Sequence, residues 1–248
     1  MKFSIITVTK NSADTIRETL ASITNQTFTN YQHIAVDSHS TDGTLQILKE
    51  YLPDKKNKIL QDNKKGIYDA INIGINNSDG EIVALLHSDD CFYDDQVLQR
   101  VARYFKDSDI NVLYGNVRYI SRFDRTKVIR KWTCGEFSFN KLKNGWMPPH
   151  LGIFIKRDFL IKEKLKYLTN LKISGDYEFI LRLFLNPSTK SRYIDNYLVD
   201  MKFGGESNKS VANLLVKYRE DFYSLKKNQL NPYRGLFFKN VRKLNQFF

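Results

Sequence analysis

Through its first 95 residues the chain alternates short apolar runs with stretches of helical period, and few architectures accept that order. FSIITV (Phe3 to Val8), HIAV (His33 to Val36), the pair Ile59 and Leu60, and IVALL (Ile82 to Leu86) are short, rich in β-branched residues and end in polar clusters, as strands do. Between them, Ala13, Ile16, Leu20 and Ile23 recur at helical spacing behind a candidate cap at Ser12. Leu45, Leu48 and Leu52 follow the Ser38 to Gly43 turn, and Ile67, Ala70, Ile71 and Ile75 mark a third helix. This order predicts an α/β fold with a mostly parallel sheet, because each parallel connection crosses a face of the sheet and covers it with a helix.

The second half is more varied. A helix through Val97, Val101 and Phe105 leads to VLYGNVRYI (Val112 to Ile120) and KVIRKWT (Lys127 to Thr133), an antiparallel addition turning at Arg122 to Thr126. A loop with Gly145, Pro148 and Pro149 precedes the strand-like LGIFI (Leu151 to Ile155). Tyr177 to Leu185 reads as an apolar helix, Tyr193 to Met201 as a strand, and the rest as two amphipathic helices split at Asn231 and Pro232.

In parallel sheets, ligands bind beyond the carboxyl ends of the strands, where helix N-termini and loop amides converge. The polar clusters fall there: Thr9 to Asn11, Asp37 to Asp42, Asp62 to Lys65 and His87 to Asp90. The last, LLHSDD, sets two adjacent carboxylates where a buried strand leaves the core, so they need a cation or hydrogen-bond donors to remain ionised. A hard divalent ion shared with substrate phosphates meets that need; so does a solvated turn, or Asp90 capping the next helix. Asp37 to Thr44 can accept hydrogen bonds from a nucleoside, or can be a Ser/Asp-rich turn capping the helix near Thr44.

Composition narrows the classes further. With 42% hydrophobic and 27% charged residues the chain is an ordered globular protein, of a length one main domain can have. Its two cysteines, Cys91 and Cys134, form no metal or disulfide pattern, which points to a reducing cytoplasm. The apolar stretch near Met1 is too short for a secretory signal, and no run reaches the 18 or so apolar residues of a membrane span. The net charge of +12 calls for an anionic partner.

The order of these pieces resembles the family 2 inverting glycosyltransferases, nucleotide-sugar-dependent enzymes of the GT-A fold. The matching text is SIITVTKN, then ETLASITNQTFTNYQHIAVDSHSTDGT, then DNKKGIYDAINIGINNSDGEIVALLHSDDCFY, with SGDYEF and GGES further on. The resemblance implies a catalytic domain over residues 1–207, with a nucleotide-sugar half to residue 95 and an acceptor half beyond it, followed by a basic helical tail over 208–248. It implies that Thr7, Thr9 and Asn11 line the nucleotide pocket, that Asp37 contacts the base, and that Lys65, Gly66 and Asp69 surround the ribose and diphosphate of a UDP- or GDP-sugar. The family's DxD element falls on His87, Ser88 and Asp89, which makes Asp89 the ligand of Mg²⁺ or Mn²⁺ with Asp90 its neighbour; His87 departs from the usual first aspartate.

Asp176 matches the position of the family's catalytic base, a carboxylate that deprotonates the acceptor hydroxyl opposite the leaving group. It also suits the N-cap of the helix from Tyr177, and Glu178 is a weaker candidate base. His150 lies in a loop that can reach the acceptor, Trp146 reads better as structural than as a sugar platform, and Gly204 to Ser207 corresponds to a loop closing over donor phosphates.

Residues 209–248 carry nine Lys and Arg against Glu220 and Asp221, more than half of the excess charge. Phe237, Val241, Leu244 and Phe248 form one helical stripe among cations, suited to an anionic membrane or to packing on the domain. The expected acceptor is a glycan or lipid-linked sugar at the cytoplasmic face of the membrane, with no nucleic acid. A non-catalytic basic module is the alternative reading.

Overall fold

The protein is described by a computed structural model that covers residues 1–204 and 210–244. Strands β1 (Phe3–Thr9), β2 (Tyr31–Asp37), β3 (Lys58–Gln61) and β4 (Ile82–Leu85) alternate with helices α1 (Ile16–Thr24), α2 (Thr44–Tyr51) and α3 (Ile67–Asn76). They pair in parallel, with Ile5 opposite His33 and Ala84, and Ala35 opposite Ile59. The faces separate with the period of two that a strand imposes. Ala35 packs with Ile16, Leu20, Ile47 and Leu48 of α1 and α2, while Ile34 and Val36 join the larger core with Ile71 of α3.

The chain continues through β5 (Cys91–Phe92), α4 (Val97–Asp107), β6 (Val112–Ile120), β7 (Val128–Trp132), α5 (Phe139–Lys143), a single 3₁₀ turn at His150–Gly152, β8 (Ile153–Lys156), α6 (Arg157–Lys162), α7 (Gly175–Leu185) and β9 (Ser191–Lys202). The sheet runs β3-β2-β1-β4-β8-β6-β9-β5, with β7 on the side of β6. Only β8, β7 and β5 run against the others. The expected parallel α/β sheet is thus present, extended by a mixed half.

Helices α8 (Val211–Lys227) and α9 (Pro232–Leu244) form an antiparallel hairpin, with Phe222 edge-on to Tyr233. Leu225 and Leu230 are buried in the main core, so the hairpin docks on the domain. It docks through Gly235, Leu236 and Lys239, while Phe237 and Val241 stay open. One local expectation changes and another holds. Helix α1 starts at Ile16 after a turn, and Ser12 supplies its carbonyl to the amides of Thr15 and Ile16 rather than capping with its hydroxyl. Trp146 is core: its indole N–H donates to the Cys134 carbonyl amid Tyr114, Phe137 and Phe184.

Candidate active site

The carboxyl ends of β1, β2 and β3 are laced together by the polar clusters themselves. The Asp37 carboxylate is fully buried and accepts from the Ser40 amide (2.8 Å) and hydroxyl (2.5 Å). Asn11, held at φ 47°, accepts from the Thr41 amide (2.9 Å) and donates its own amide to the Ser40 hydroxyl (2.8 Å). Asp42 takes the amides of Ala13 and Thr44, and the His39 ring meets the Asp62 carbonyl at 3.1 Å. The turn chemistry and the site chemistry thus use the same residues. Asp37 builds the rim of the crevice, with both its oxygens already engaged.

Thr9, in register with Asp37, has a buried hydroxyl without a partner among the described residues, an unmet bonding capacity at the crevice floor. Gly66 caps α3 at φ 102°, a backbone setting that favours glycine, and Asp69 follows in the first turn. Lys65 is exposed beside them. Thr7, two residues earlier on the same face of β1, is also fully buried, its hydroxyl 2.8 Å from the His33 ring.

The two carboxylates after β4 part company. Asp90 is buried and accepts from the Lys202 amide at 2.9 Å on β9, while burial and the neighbouring Asp89 push its pKa well above the usual carboxylate range. It therefore ties the end of β4 to β9. Asp89 turns the other way, one-third exposed, to the Arg122 guanidinium at 3.2 Å. Arg122, on the β6–β7 turn, also donates to the Phe203 carbonyl. Ser88 is joined to the start of α1 through its hydroxyl to Ser12 and its carbonyl to Thr15.

Among the described residues no group of three or more His, Cys, Asp or Glu is arranged to hold a metal. The protein offers Asp89 as one partly exposed oxygen donor. That suffices for a hard cation drawing its other ligands from phosphates and water, the usual habit of Mg²⁺ beside a diphosphate.

Asp176 lies in the first turn of α7, and Ser174 holds the N-cap position, so its carboxylate is free of the capping role. Its Oδ2 is 3.7 Å from His150 Nδ1, and His150 Nε2 is 3.0 Å from His87 Nε2. Burial depresses both imidazoles to about 4, helped for His87 by its facing partner, so both are neutral at pH 7. A His87 Nε2–H donated to His150 Nε2 would leave the His150 proton on Nδ1, facing the carboxylate. Burial raises the Asp176 pKa while Lys239 opposes the rise. Asp176 thus has the raised affinity for a proton that a general base uses. Glu178 is fully buried in an ion pair with Arg182 at 2.7 Å and is structural.

The glycosyl transferase family 2 profile matches residues 4–167, most of the sheet and the whole strand-end crevice. The chain belongs to glycosyltransferase family 2. A PGL/p-HBAD biosynthesis glycosyltransferase of Mycobacterium tuberculosis (strain H37Rv) is 31% identical over 87% of this chain and 82% of its own length. The poly(ribitol-phosphate) beta-N-acetylglucosaminyltransferase TarP of Staphylococcus aureus (strain N315) is 26% identical over 99% of this chain and 76% of its own. The crystal structure of S. aureus TarS 1–349 in complex with UDP-GlcNAc superposes with TM-score 0.69 at 21% identity, covering 96% of this chain and 70% of that one. Mannosyltransferase PcManGT from Pyrobaculum calidifontis, in complex with GDP-Man and Mn²⁺, gives 0.65 at 16%, covering 91% and 63%.

As a family 2 glycosyltransferase the chain is an enzyme with the GT-A fold. Its site contains partners that the sequence reading missed. Arg122 sat unremarked in a polar turn, and nothing local announces that it reaches Asp89. His150 was noted, but its place between His87 and Asp176 is set by the 3₁₀ turn before β8. Gly205, Glu206 and Ser207 lie outside the described residues.

Proposed function

We propose that the chain moves a sugar, with inversion, from a nucleoside-diphosphate sugar to a hydroxyl of a surface-polysaccharide acceptor. The observation that carries this reading is Asp176: a carboxylate with a raised pKa, free of capping duty, joined through His150 to the strand end that bears Asp89. In this reading Thr9, Asn11 and the Ser38 to Asp42 turn form the nucleoside wall, Lys65, Gly66 and Asp69 flank the ribose and diphosphate, and Asp89 would hold a divalent cation. Such an ion would supply charge neutralisation to the departing diphosphate. Asp176 takes the proton of the acceptor hydroxyl as that oxygen attacks the anomeric carbon, and His150 fixes the carboxylate's orientation with its Nδ1 proton. His87 holds His150 in that tautomer.

The UDP bound to TarS favours a uridine donor, and TarP's poly(ribitol-phosphate) favours an anionic polymer, which a chain of charge +12 would attract. The open stripe of Tyr233, Phe237 and Val241, beside Arg234 and Arg242, supports seating on an anionic membrane at its cytoplasmic face. No described helix is long and apolar enough to cross a membrane.

The test is turnover of a UDP-sugar panel with Mn²⁺, Mg²⁺ or chelator, using poly(ribitol phosphate) as acceptor. Asp176→Asn should lower transfer by about 10²- to 10⁴-fold with UDP binding unchanged. Wild-type transfer by that variant would remove the base from the mechanism.

A further inference from the structure

Glu220 and Asp221 are the two acidic residues in the basic stretch 209–248, and the structure uses both to hold the domain. Glu220, on α8, accepts three consecutive backbone amides of the segment leading into α7. These are Lys172 (2.7 Å), Ile173 (2.9 Å) and Ser174 (2.8 Å). A carboxylate facing the start of a helix is favoured by the helix dipole, and charge-assisted bonds to it are stronger than neutral ones. The same segment is gripped from the other side, where the Tyr68 hydroxyl donates to the Ile173 carbonyl at 2.7 Å and the Tyr68 ring lies flush against Gly175.

Two residues on stands Asp176. Helix α9 secures α8 in turn: Lys239 meets Asp221 at 2.8 Å and its ammonium lies 3.3 Å from the centre of the Tyr177 ring. The same helix grips the loop leading to His150, through Arg234 to the Asn144 side chain (2.6 Å) and Arg242 to the Asn144 carbonyl (3.3 Å). Gly145 lies against the Gly235 carbonyl, too close for any larger residue.

We propose that the C-terminal helical hairpin is a clamp on the catalytic base, with Glu220 the positioning residue that fixes the 172–174 backbone and so the place of Asp176. The proposal rests on Asp176 being the base. General-base catalysis depends on sub-ångström placement of the carboxylate against the attacking hydroxyl, and Ser174, at the N-cap of α7, makes no side-chain cap bond to the first turn. The tail that reads as a membrane anchor in the sequence is, on its inner face, part of the active-site scaffold.

The test uses the full chain and Glu220→Gln, which keeps size but sets an amide NH₂ against backbone N–H groups. UDP-sugar turnover should fall at least about tenfold in kcat, with KM for the donor and UDP affinity within about twofold. Amide exchange at residues 172–174 should quicken. Val101→Ala, in α4 and outside the hairpin, is the stability control and should lower Tm while retaining kcat. Wild-type kcat in Glu220→Gln overturns the proposal, as does an equal loss of kcat in Val101→Ala. Should Glu220→Gln not fold, exchange in the wild-type chain decides: protection at 172–174 matching α7 supports the clamp, and rapid exchange overturns it. Asp176→Asn is assayed alongside. If it alone keeps turnover, the base assignment fails, whereas loss in Asp176→Asn with none in Glu220→Gln strikes only the clamp.

Discussion

Replacing Gly175 by alanine probes the seat of Asp176 without touching any polar group. A Cβ at this position would lie 2.6 to 2.8 Å from three ring atoms of Tyr68, inside any real carbon contact. The ring has little room to retreat, since it stacks on Tyr167 (5.8 Å, 5°), which stacks on Phe179 (4.2 Å, 6°), and its hydroxyl is held by the Ile173 carbonyl. Overpacking of this kind costs about 1–3 kcal/mol, whereas alanine in a helix returns roughly 0.5–1 kcal/mol relative to glycine. The net expectation is a loss of about 1–2 kcal/mol, a Tm decrease of roughly 2–8 °C for a chain of this size. The assay is a double-mutant cycle by thermal or urea unfolding. With Tyr68→Ala as background the clash is absent, so Gly175→Ala should become neutral or stabilising and the coupling should exceed about 1 kcal/mol. An equal effect in both backgrounds, or stabilisation in the wild-type background, would refute the steric account.

Two further outcomes follow from other parts of the molecule. His33 is fully buried with its ring on Thr7, and burial lowers its pKa to about 3, so between pH 6.5 and 3 the unfolded chain binds the extra proton and stability falls on acidification. At pH 5 this one ring should cost about 2 kcal/mol relative to pH 7.5, and thermal melts of His33→Gln should show a flatter pH dependence; an unchanged slope would contradict it. At the tail, Phe237 and Val241 are 63% and 40% exposed, so changing both to serine should abolish flotation with phosphatidylglycerol vesicles and leave Tm unaltered. Persistent flotation would rule out that face.

What the sequence determined by itself is what local period and local chemistry encode. The alternation of strands and helices, the polar strand ends, the β6–β7 hairpin and the two final helices were all legible, because burial on a strand or helix leaves a period of 2 or 3.6 in the residues. Asp176 was legible as a carboxylate at a helix start. Tertiary structure alone decided the pairing of polar groups. Asp89 and Asp90 are neighbours with the same side chain, yet one meets Arg122, 33 residues on, and the other the Lys202 amide, 112 residues on. Glu220 reads as one acid in a basic helix until the fold brings it within 2.9 Å of amides 46 to 48 residues earlier. Thr7 and Thr9 share one face of β1 and both are buried, yet tertiary structure gives Thr7 a partner in His33 and leaves the Thr9 hydroxyl without one among the described residues. A hydrogen bond is directional and short-ranged, so which distant partner satisfies it is fixed only when the sheet order and the docking of α7 on α8 bring the two groups to the same place.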